Sequence, residues 1–493
     1  MYSEKDYFFY QDYGMQIVTD GQMPEIPEQF EDDSSHAELG IAVDVGTTTI
    51  AVSVWALSRR KHLVTVAEKN NQVSYGYDII RRISFAVRPP MTGSSNIVET
   101  GHSALHYCLV SQLEKMFARA VLESASRLPR GFRPKVMRIV ITGNTAMLSF
   151  LTAAPVDNMA AAPFTPPTLF DIVTTWGKIR GGQVFPFRTV LDKPTPELLQ
   201  VFGSSVISPD TEVYIPPCAG AFIGADTVCA MISAGFPVPG AKNDSSTLRP
   251  WESRVRAPLL LADIGTNSEL CLYVPDSDDE KGRILCTSAA SGPAFEGANI
   301  SCGMPAIAGA VDKVTYDNDR LRCHTIGEGN PKGLCGTGLI SAVAVMLRNK
   351  YIDKNGIIVR EKSKLGDGTN CIELTPAVYI SQQDIRNLQL AKSAVRTGLD
   401  FLLERSERTP VFCIAGGFGS KINLEEAAAI GLLPARLEKR TVQLGNAALS
   451  GASALLFSNV LRRKAGALAK KSVQVNLAGI PEFQQRFLAG IDF

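Results

Sequence analysis

Close-set cysteines are missing from this sequence. Ten cysteines are scattered over 493 residues, the nearest pair, Cys218 and Cys229, stands 11 positions apart, and no C-x-x-C occurs. Zinc ribbons and iron–sulfur clusters usually draw their ligands at short spacing, so neither is supported. Scattered cysteines read instead as small buried hydrophobes. An excess of either charge is also lacking. Lys and Arg number 50 against 49 Asp and Glu, a formal net charge of +1, so no overall field favours nucleic acid or an anionic membrane. No apolar run reaches the roughly 18 residues of a spanning helix. The opening MYSEKDYFFYQDYGMQ has neither the basic start nor the apolar stretch of a signal peptide. The expected location is the cytoplasm.

What is present is a strand-rich chain long enough for two or more core-bearing domains. Residues 1–37, with Pro24, Pro27 and Glu31-Asp32-Asp33, read as a tail. From Ile41 the stretch IAVDVGTTTIAVSVWAL is an apolar strand, a bend at Gly46 with three threonines, and a second apolar strand. LLLADIGTNSELCLYV, from Leu259, repeats the pattern, and Asp44 and Asp263 stand 219 positions apart. That distance is too long for a solenoid repeat and suits a duplicated domain. Between the copies, VMRIVITGNTAMLSFL reads as strand, turn and helix, EVYIPPCAGAFIGADTVCAMISAG as strand then small-residue helix, and VPGAKNDSSTLRPWESRVRAP as a linker. Helices are expected over residues 101–123, 336–350 and 383–405. The last opens with Ser381 and Asp384 in the S-x-x-D order that caps a helix. VFCIAGGFGSKI is a buried strand ending in glycines, and VQLGNAALSGASALLFSNVL a last helix. Alternation of strands and helices makes the fold class α/β.

The chemistry of the bends follows from their residues. Gly46 lets backbone N–H groups approach a phosphate with no Cβ in the way, and Thr47, Thr48 and Thr49 add hydroxyls. Asp44 would repel phosphate unless a divalent cation lies between them, and Mg²⁺ suits that role. A lone D-x-G-T is as well explained by a Thr-rich turn. The second copy, Asp263 with Gly265, Thr266 and Asn267, shifts the balance, because two such hairpins can grip a triphosphate from both sides of a cleft. Gly416, Gly417, Phe418 and Gly419 then allow close approach of a purine. Asp226, at a strand-to-helix junction, is a third carboxylate that can orient water or hold magnesium, or simply cap its helix. Gly336, Thr337 and Gly338 can offer N–H groups at a helix start, or only pack tightly. His102 and His106 are four apart on a helix without a third ligand, so solvated or capping roles are expected over a metal. Cys335 reads as packing, and Glu296 in SGPAFEGANISCGM has no role that composition assigns.

Taken together, the two hairpins, the glycines and the small-residue helices GADTVCAM and GNAALSGA resemble the actin, sugar-kinase and heat-shock-chaperone ATPase superfamily (ASKHA). At finer grain, DVGTTT, NNQVSYGYDIIRRI, GNTAM, APFTPP, GADTVCAM, DIGTNSEL, SGPAFEGANISCGM, GLCGTGLI, DIRNLQLAKSAVR, AGGFGSKI, GLLP and the closing IPEFQQRFLAGIDF resemble the ATP-dependent reductive activators of corrinoid proteins. The resemblance covers about residues 40–493 and implies a two-lobed ASKHA fold with duplicated ribonuclease-H-like subdomains. The implied division is subdomain I over 38–240, a linker over 241–257, subdomain II over 258–440, a second connecting helix over 441–465 and a C-terminal tail over 466–493 packing on the ATPase.

The same resemblance implies ATP and Mg²⁺ as cofactors and Asp44, Asp226 and Asp263 as the acids. It implies a corrinoid methyl-transfer protein as partner, returned from cob(II)alamin to cob(I)alamin, and a dimeric assembly. Members that pass electrons themselves carry an iron–sulfur domain before the ATPase. Here no cysteine precedes Cys108, so the expectation is no cluster in this chain and an electron from a separate ferredoxin or flavoprotein. Ser268 stands where the family commonly has glycine and Ala146 where threonine is common. Two other readings stay open: a small-molecule kinase with Asp226 as base, and a nucleotide-dependent scaffold.

Overall fold

The computed structural model describes residues 9–11, 14–16, 36–88, 91–92, 98–128, 131, 133–186, 196–239, 257–275, 282–359, 364–366, 369–416 and 421–493. The chain divides into two compact units, Met1–Arg254 with Ala447–Ser472, and Val255–Asn446 with Val473–Phe493.

The first unit is built on β1 (His36–Val45), β2 (Thr49–Ala56), β3 (Lys61–Lys69), β4 (Arg133–Gly143), β5 (Ile172–Thr175) and β6 (Glu212–Ile215). They lie in the order β3-β2-β1-β4-β6-β5. The first three are an antiparallel meander, β4 joins β1 in parallel, and β6 joins β4 in parallel. The second unit repeats this plan with β7 (Leu259–Ile264), β8 (Ser268–Val274), β9 (Arg283–Ala289), β10 (Val411–Ala415), β11 (Thr441–Gly445) and β12 (Ser472–Gln474). Its order is β11-β10-β7-β8-β9-β12, again a meander extended in parallel from its first strand. The repeated D-x-G-T hairpins thus head two copies of one mixed α/β sheet.

Central strands covered on both faces need apolar side chains on both. Leu39, Ile41, Ala42, Val43 and Val45 of β1 are accordingly buried. One face meets the Gly101–Ala125 helix, whose Leu105, Leu109, Leu113, Met116 and Phe117 recur at helical spacing and are buried. Beyond β1, the Ala447–Leu455 and Ala225–Ala234 helices cross at a contact only small residues permit. A Cβ on Gly451 would stand 1.9 Å from the Cys229 carbonyl oxygen. In the second unit Leu260, Ala262, Leu270 and Leu272 pack against the Gly336–Arg348 and Gln382–Leu403 helices. The expected cap of the latter is present as a capping box, with the Ser381 N–H donating to Asp384 Oδ2 at 2.8 Å and the Asp384 N–H to Ser381 Oγ at 3.2 Å.

The stretch VQLGNAALSGASALLFSNVL departs from the expected single last helix. Its first residues are β11, the helix spans only Ala447–Leu455, and a new helix, Asn459–Lys471, starts behind Ser458. The Ser458 hydroxyl accepts the Leu461 N–H at 2.9 Å, so a cap breaks the run that apolar spacing alone made continuous. A further helix, Pro481–Ala489, follows and lies against Gln382–Leu403. At the other end of the chain, Phe9–Gln11 pairs with Gly14–Gln16, and β1 begins at His36. Among the described residues no helix is long and apolar enough to cross a membrane.

Replacing Gly451 with alanine is expected to cost about 1–3 kcal/mol, because backbone rather than a flexible side chain occupies the space. Thermal melting of G451A beside the parent chain checks this, and equal melting temperatures contradict the close helix crossing.

Candidate functional site

Both acid-led bends are held from behind by polar groups that engage their carbonyls. At the first, a Cβ on Gly46 would meet the Thr49 carbonyl oxygen at 2.5 Å, so the reversal excludes a side chain. The Gly46 carbonyl accepts from Asn70 Nδ2 at 2.9 Å, and Thr48 O accepts the Asn70 N–H at 2.8 Å. Thr47 O accepts from Arg82 Nη2 at 2.7 Å, and the Thr47 hydroxyl accepts from Asn144 Nδ2 at 3.1 Å. Asn70 and Arg82 are wholly buried. Arg82 also donates to Gly76 O at 2.8 Å and Gln72 Oε1 at 3.2 Å. Burial lowers its pKa to about 10, which leaves it a cation at neutral pH. With three successive carbonyls turned to this scaffold, Thr49 stays exposed and Asp44, Thr47 and Thr48 half-buried.

Asp44 follows from register: it pairs with Ala51 on β2 and Thr142 on β4. Asp226 lies in the first turn of Ala225–Ala234, behind Gly224, where a Cβ would sit 2.5 Å from the Asn144 Cα. Its Oδ1 accepts the Thr227 N–H at 2.7 Å. Part of Asp226 is open to solvent, yet burial of the carboxyl outweighs that hydrogen bond and raises its pKa to about 6. The buried thiol of Cys229 is pushed up first by burial and further by the charges of Asp226 and Asp44. Asn144 links the two places, since its Nδ2 donates to the Thr47 hydroxyl of the bend and its Cα faces Gly224, next to Asp226.

The second bend is enclosed by the loop after β9. The Ser291 hydroxyl lies 2.9 Å from Gly265 O and 3.2 Å from Thr266 O, and the Gly292 N–H donates to Thr266 O at 2.9 Å. Ser268, a departure from the family pattern, uses its hydroxyl on Ser291 at 2.8 Å. The Thr266 N–H and hydroxyl both donate to Glu296 Oε1, at 2.9 and 2.8 Å. Asp263 pairs with Ala415 of β10. Next to it Gly416 has φ +94°, and a Cβ there would meet Ile264 O at 2.5 Å and Asp263 Oδ1 at 2.9 Å. Gly416 and Asp263 are therefore neighbours. Asn267 is exposed at the bend. Gly417, Phe418 and Gly419 lie outside the described residues.

Gly336 and Gly338 are buried at the start of their helix, and a Cβ on Gly338 would stand 1.9 Å from Val311 O, so packing accounts for it. Thr337 keeps exposed surface. Cys335 packs as expected, with Sγ 3.3 Å from Val311 O. The histidines take the capping role, one of the two expected, at the C-terminal end of the Thr145–Thr152 helix. His102 Nε2 lies 2.8 Å from Ala154 O and His106 Nδ1 3.0 Å from Phe150 O, and burial lowers the His106 pKa to about 4. They tie their helix to Thr145–Thr152. Among the described residues no three His, Cys, Asp or Glu side chains gather as a metal cluster.

Sequence reasoning missed Asn70, Arg82, Asn144, Ser291 and the contact of Glu296. For Arg82 a signal existed: it falls on the apolar stripe of Ile79–Ala86 with Ile83 and Ala86, and a charge on a buried face needs partners.

Residues 257–493 match the family described as the C-terminal domain of RACo, the ASKHA domain, and residues 39–179 match the RACo middle region. The chain is 26% identical to the corrinoid activation enzyme RamQ of Eubacterium limosum, over 92% of this chain and 70% of that protein. It is 24% identical to the [Co(II) methylated amine-specific corrinoid protein] reductase of Methanosarcina barkeri, over 85% of this chain and 70% of that one. A solved reductive activator for corrinoid, iron–sulfur protein superposes with TM-score 0.74 at 26% identity, covering 93% of this chain and 66% of that one.

The Asp226 environment carries a stability consequence. Between about pH 4 and pH 6 the folded chain keeps a proton on Asp226 that the unfolded chain has lost, so stability falls as pH rises through that window. Asp226→Asn removes the charge, and is expected to stabilise the metal-free, nucleotide-free protein by ~2 kcal/mol at pH 8 and by nothing at pH 4. Urea unfolding at both pH values checks this. A loss of stability at pH 8 contradicts the desolvated carboxylate.

Proposed function

Because this chain belongs to the RACo family, carrying its middle region and its C-terminal ASKHA domain, we propose that it binds and hydrolyses ATP to assist the one-electron reduction of cob(II)alamin to cob(I)alamin on a corrinoid methyl-transfer protein. The observation that carries the nucleotide part is the recurrence of an acid-led, side-chain-free bend on the same strand of two equivalent sheets. At the first bend Asp44 and Asp226, and at the second bend Asp263 beside Gly416, are the acids that would face a Mg²⁺ bound at that bend. When bound, the metal offsets the repulsion between these acids and the phosphates.

The chain's own residues supply the rest. Thr47, Thr48 and Thr49 at one bend, and Gly265, Thr266 and Asn267 at the other, offer N–H and hydroxyl donors to phosphate oxygens. Arg82 holds the Thr47 carbonyl inward and fixes the bend in that posture. Asp226, with a pKa of about 6, is ionised at neutral pH yet basic enough to orient the attacking water and take up its proton. Thr337 and the glycines from Gly416 onward accept the nucleoside part.

The corrinoid partner is proposed from the relatives, whose names describe corrinoid activation and corrinoid-protein reduction. A separate donor, a ferredoxin or flavoprotein, gives up the electron that cobalt gains. ATP contributes by binding two conformations of the activator unequally, since a ligand with equal affinity for both shifts neither.

The test is ATP turnover and cob(I)alamin absorbance, with and without a cob(II)alamin-loaded corrinoid protein and a reductant. Turnover stimulated by the loaded protein, with cob(I)alamin formed only when ATP is present, is the expected result. Turnover that instead needs an added sugar or acid would make the protein a small-molecule kinase. ATP-dependent assembly with no response to either would make it a scaffold. Asp263→Ala is expected to lower ATP turnover at least about 100-fold, and wild-type turnover in that variant contradicts the role given to the second bend.

A further inference from the structure

The donors of the second bend are already taken by an anion that belongs to the chain. Thr266 turns its N–H and its hydroxyl to one carboxylate oxygen, Glu296 Oε1, at 2.9 and 2.8 Å. A Cβ built on Gly265 would lie 3.6 Å from that same oxygen, so the carboxylate also sits over the open side of the glycine. This is the arrangement a phosphate oxygen takes on a bend: paired backbone and hydroxyl donors, with no side chain between. The first bend is different. Its surroundings are donors, namely Asn70, Arg82 and Asn144.

We propose that Glu296 is a built-in phosphate mimic, which occupies the second bend in the nucleotide-free chain and must leave Thr266 before a nucleotide phosphate can bind there. The proposal rests on the nucleotide reading given above and adds to it a competitor within the chain. Two like-charged groups cannot share one pair of donors, so carboxylate and phosphate alternate. The side chain can swing while its turn stays in place, because Ala294 and Phe295 of the Pro293–Glu296 turn are buried and anchor it.

Release of Glu296 would be felt further along the loop. Ser301 donates its N–H to Asp384 Oδ1 at 2.7 Å, with its hydroxyl 3.1 Å from the same oxygen, and Asn387 Nδ2 donates to Asn299 O at 2.6 Å. The loop is thus tied at one end to the bend and at the other to the capped start of the Gln382–Leu403 helix. Phosphate arrival at Thr266 therefore reaches the longest helix of this unit's core through the short stretch of chain from Glu296 to Ser301.

The experiment measures binding of inorganic tripolyphosphate and of ATP with Mg²⁺, by calorimetry, to the full chain, to Glu296→Ala and to Glu296→Gln. Removing the competing charge is expected to tighten tripolyphosphate binding about tenfold in the alanine variant, the order expected when one charge-assisted hydrogen bond no longer has to be given up. A smaller gain in the same direction is expected for the glutamine variant, which keeps an uncharged acceptor for Thr266. Equal or weaker binding of tripolyphosphate in the folded variants overturns the proposal, as does no binding by any of the three proteins. If E296A does not fold, judged by its melting transition, E296Q decides the matter by the same criterion. Tighter tripolyphosphate binding in the variants with ATP bound by none leaves the mimic standing and removes the ATP reading.

Discussion

A carboxylate near the end of a buried strand, followed by a tight glycine-led reversal, is the constraint on which both units are built. The strand must be apolar on both faces to lie at the middle of its sheet, and that burial fixes where Asp44 and Asp263 emerge. The reversal must then be made with glycine, since a Cβ on Gly46 would collide with the Thr49 carbonyl. A bend this tight points several carbonyls the same way, and buried carbonyls need donors. Asn70 and Arg82 are therefore consequences of the bend. Burying a guanidinium lowers its pKa to about 10, a cost set against the hydrogen bonds it makes to Thr47, Gly76 and Gln72.

The two bends share a backbone plan and differ in what surrounds it. Behind the first stand two amides and a cation, so the local field favours an anion before any ligand arrives. Around the second stand a serine hydroxyl that takes the carbonyls and a carboxylate that takes the donors. The two sheets share the order of five strands and the acid, while the sixth strand and the loops between strands differ. Divergence of this kind lets one plan serve two tasks: a bend that receives charge, and a bend that exchanges one charge for another.

How much of this was legible in the sequence depended on how local each determinant is. The hairpins were readable because acid, glycine, threonine and two apolar strands occupy consecutive positions. The capping box was readable because Ser381 and Asp384 are three residues apart. The α/β class followed from element alternation, and two copies of one turn pointed to the two equivalent sheets. The break at Ser458 was missed because apolar residues continue across it, so periodicity saw one helix where a cap starts a second. The histidines could be read only as solvated or capping, because four-residue spacing does not say what lies opposite, which proved to be carbonyls at the C-terminal end of a neighbouring helix. Glu296 had no readable role for a similar reason: its partner is 30 residues away in sequence, and only the fold of the intervening hairpin brings the two together.

Asp226 shows how opposing effects can set a single group for proton transfer. Placement in the first turn of a helix, with the Thr227 N–H on Oδ1, favours the ionised carboxylate and alone would hold its pKa low. Close packing beside Cys218 and Cys229 strips water from it and favours the neutral acid. Burial wins by about two pKa units, which brings the group to about 6, within reach of proton exchange near neutral pH. Either influence alone would leave a carboxylate too acidic to take a proton or a carboxylic acid too weak to lose one.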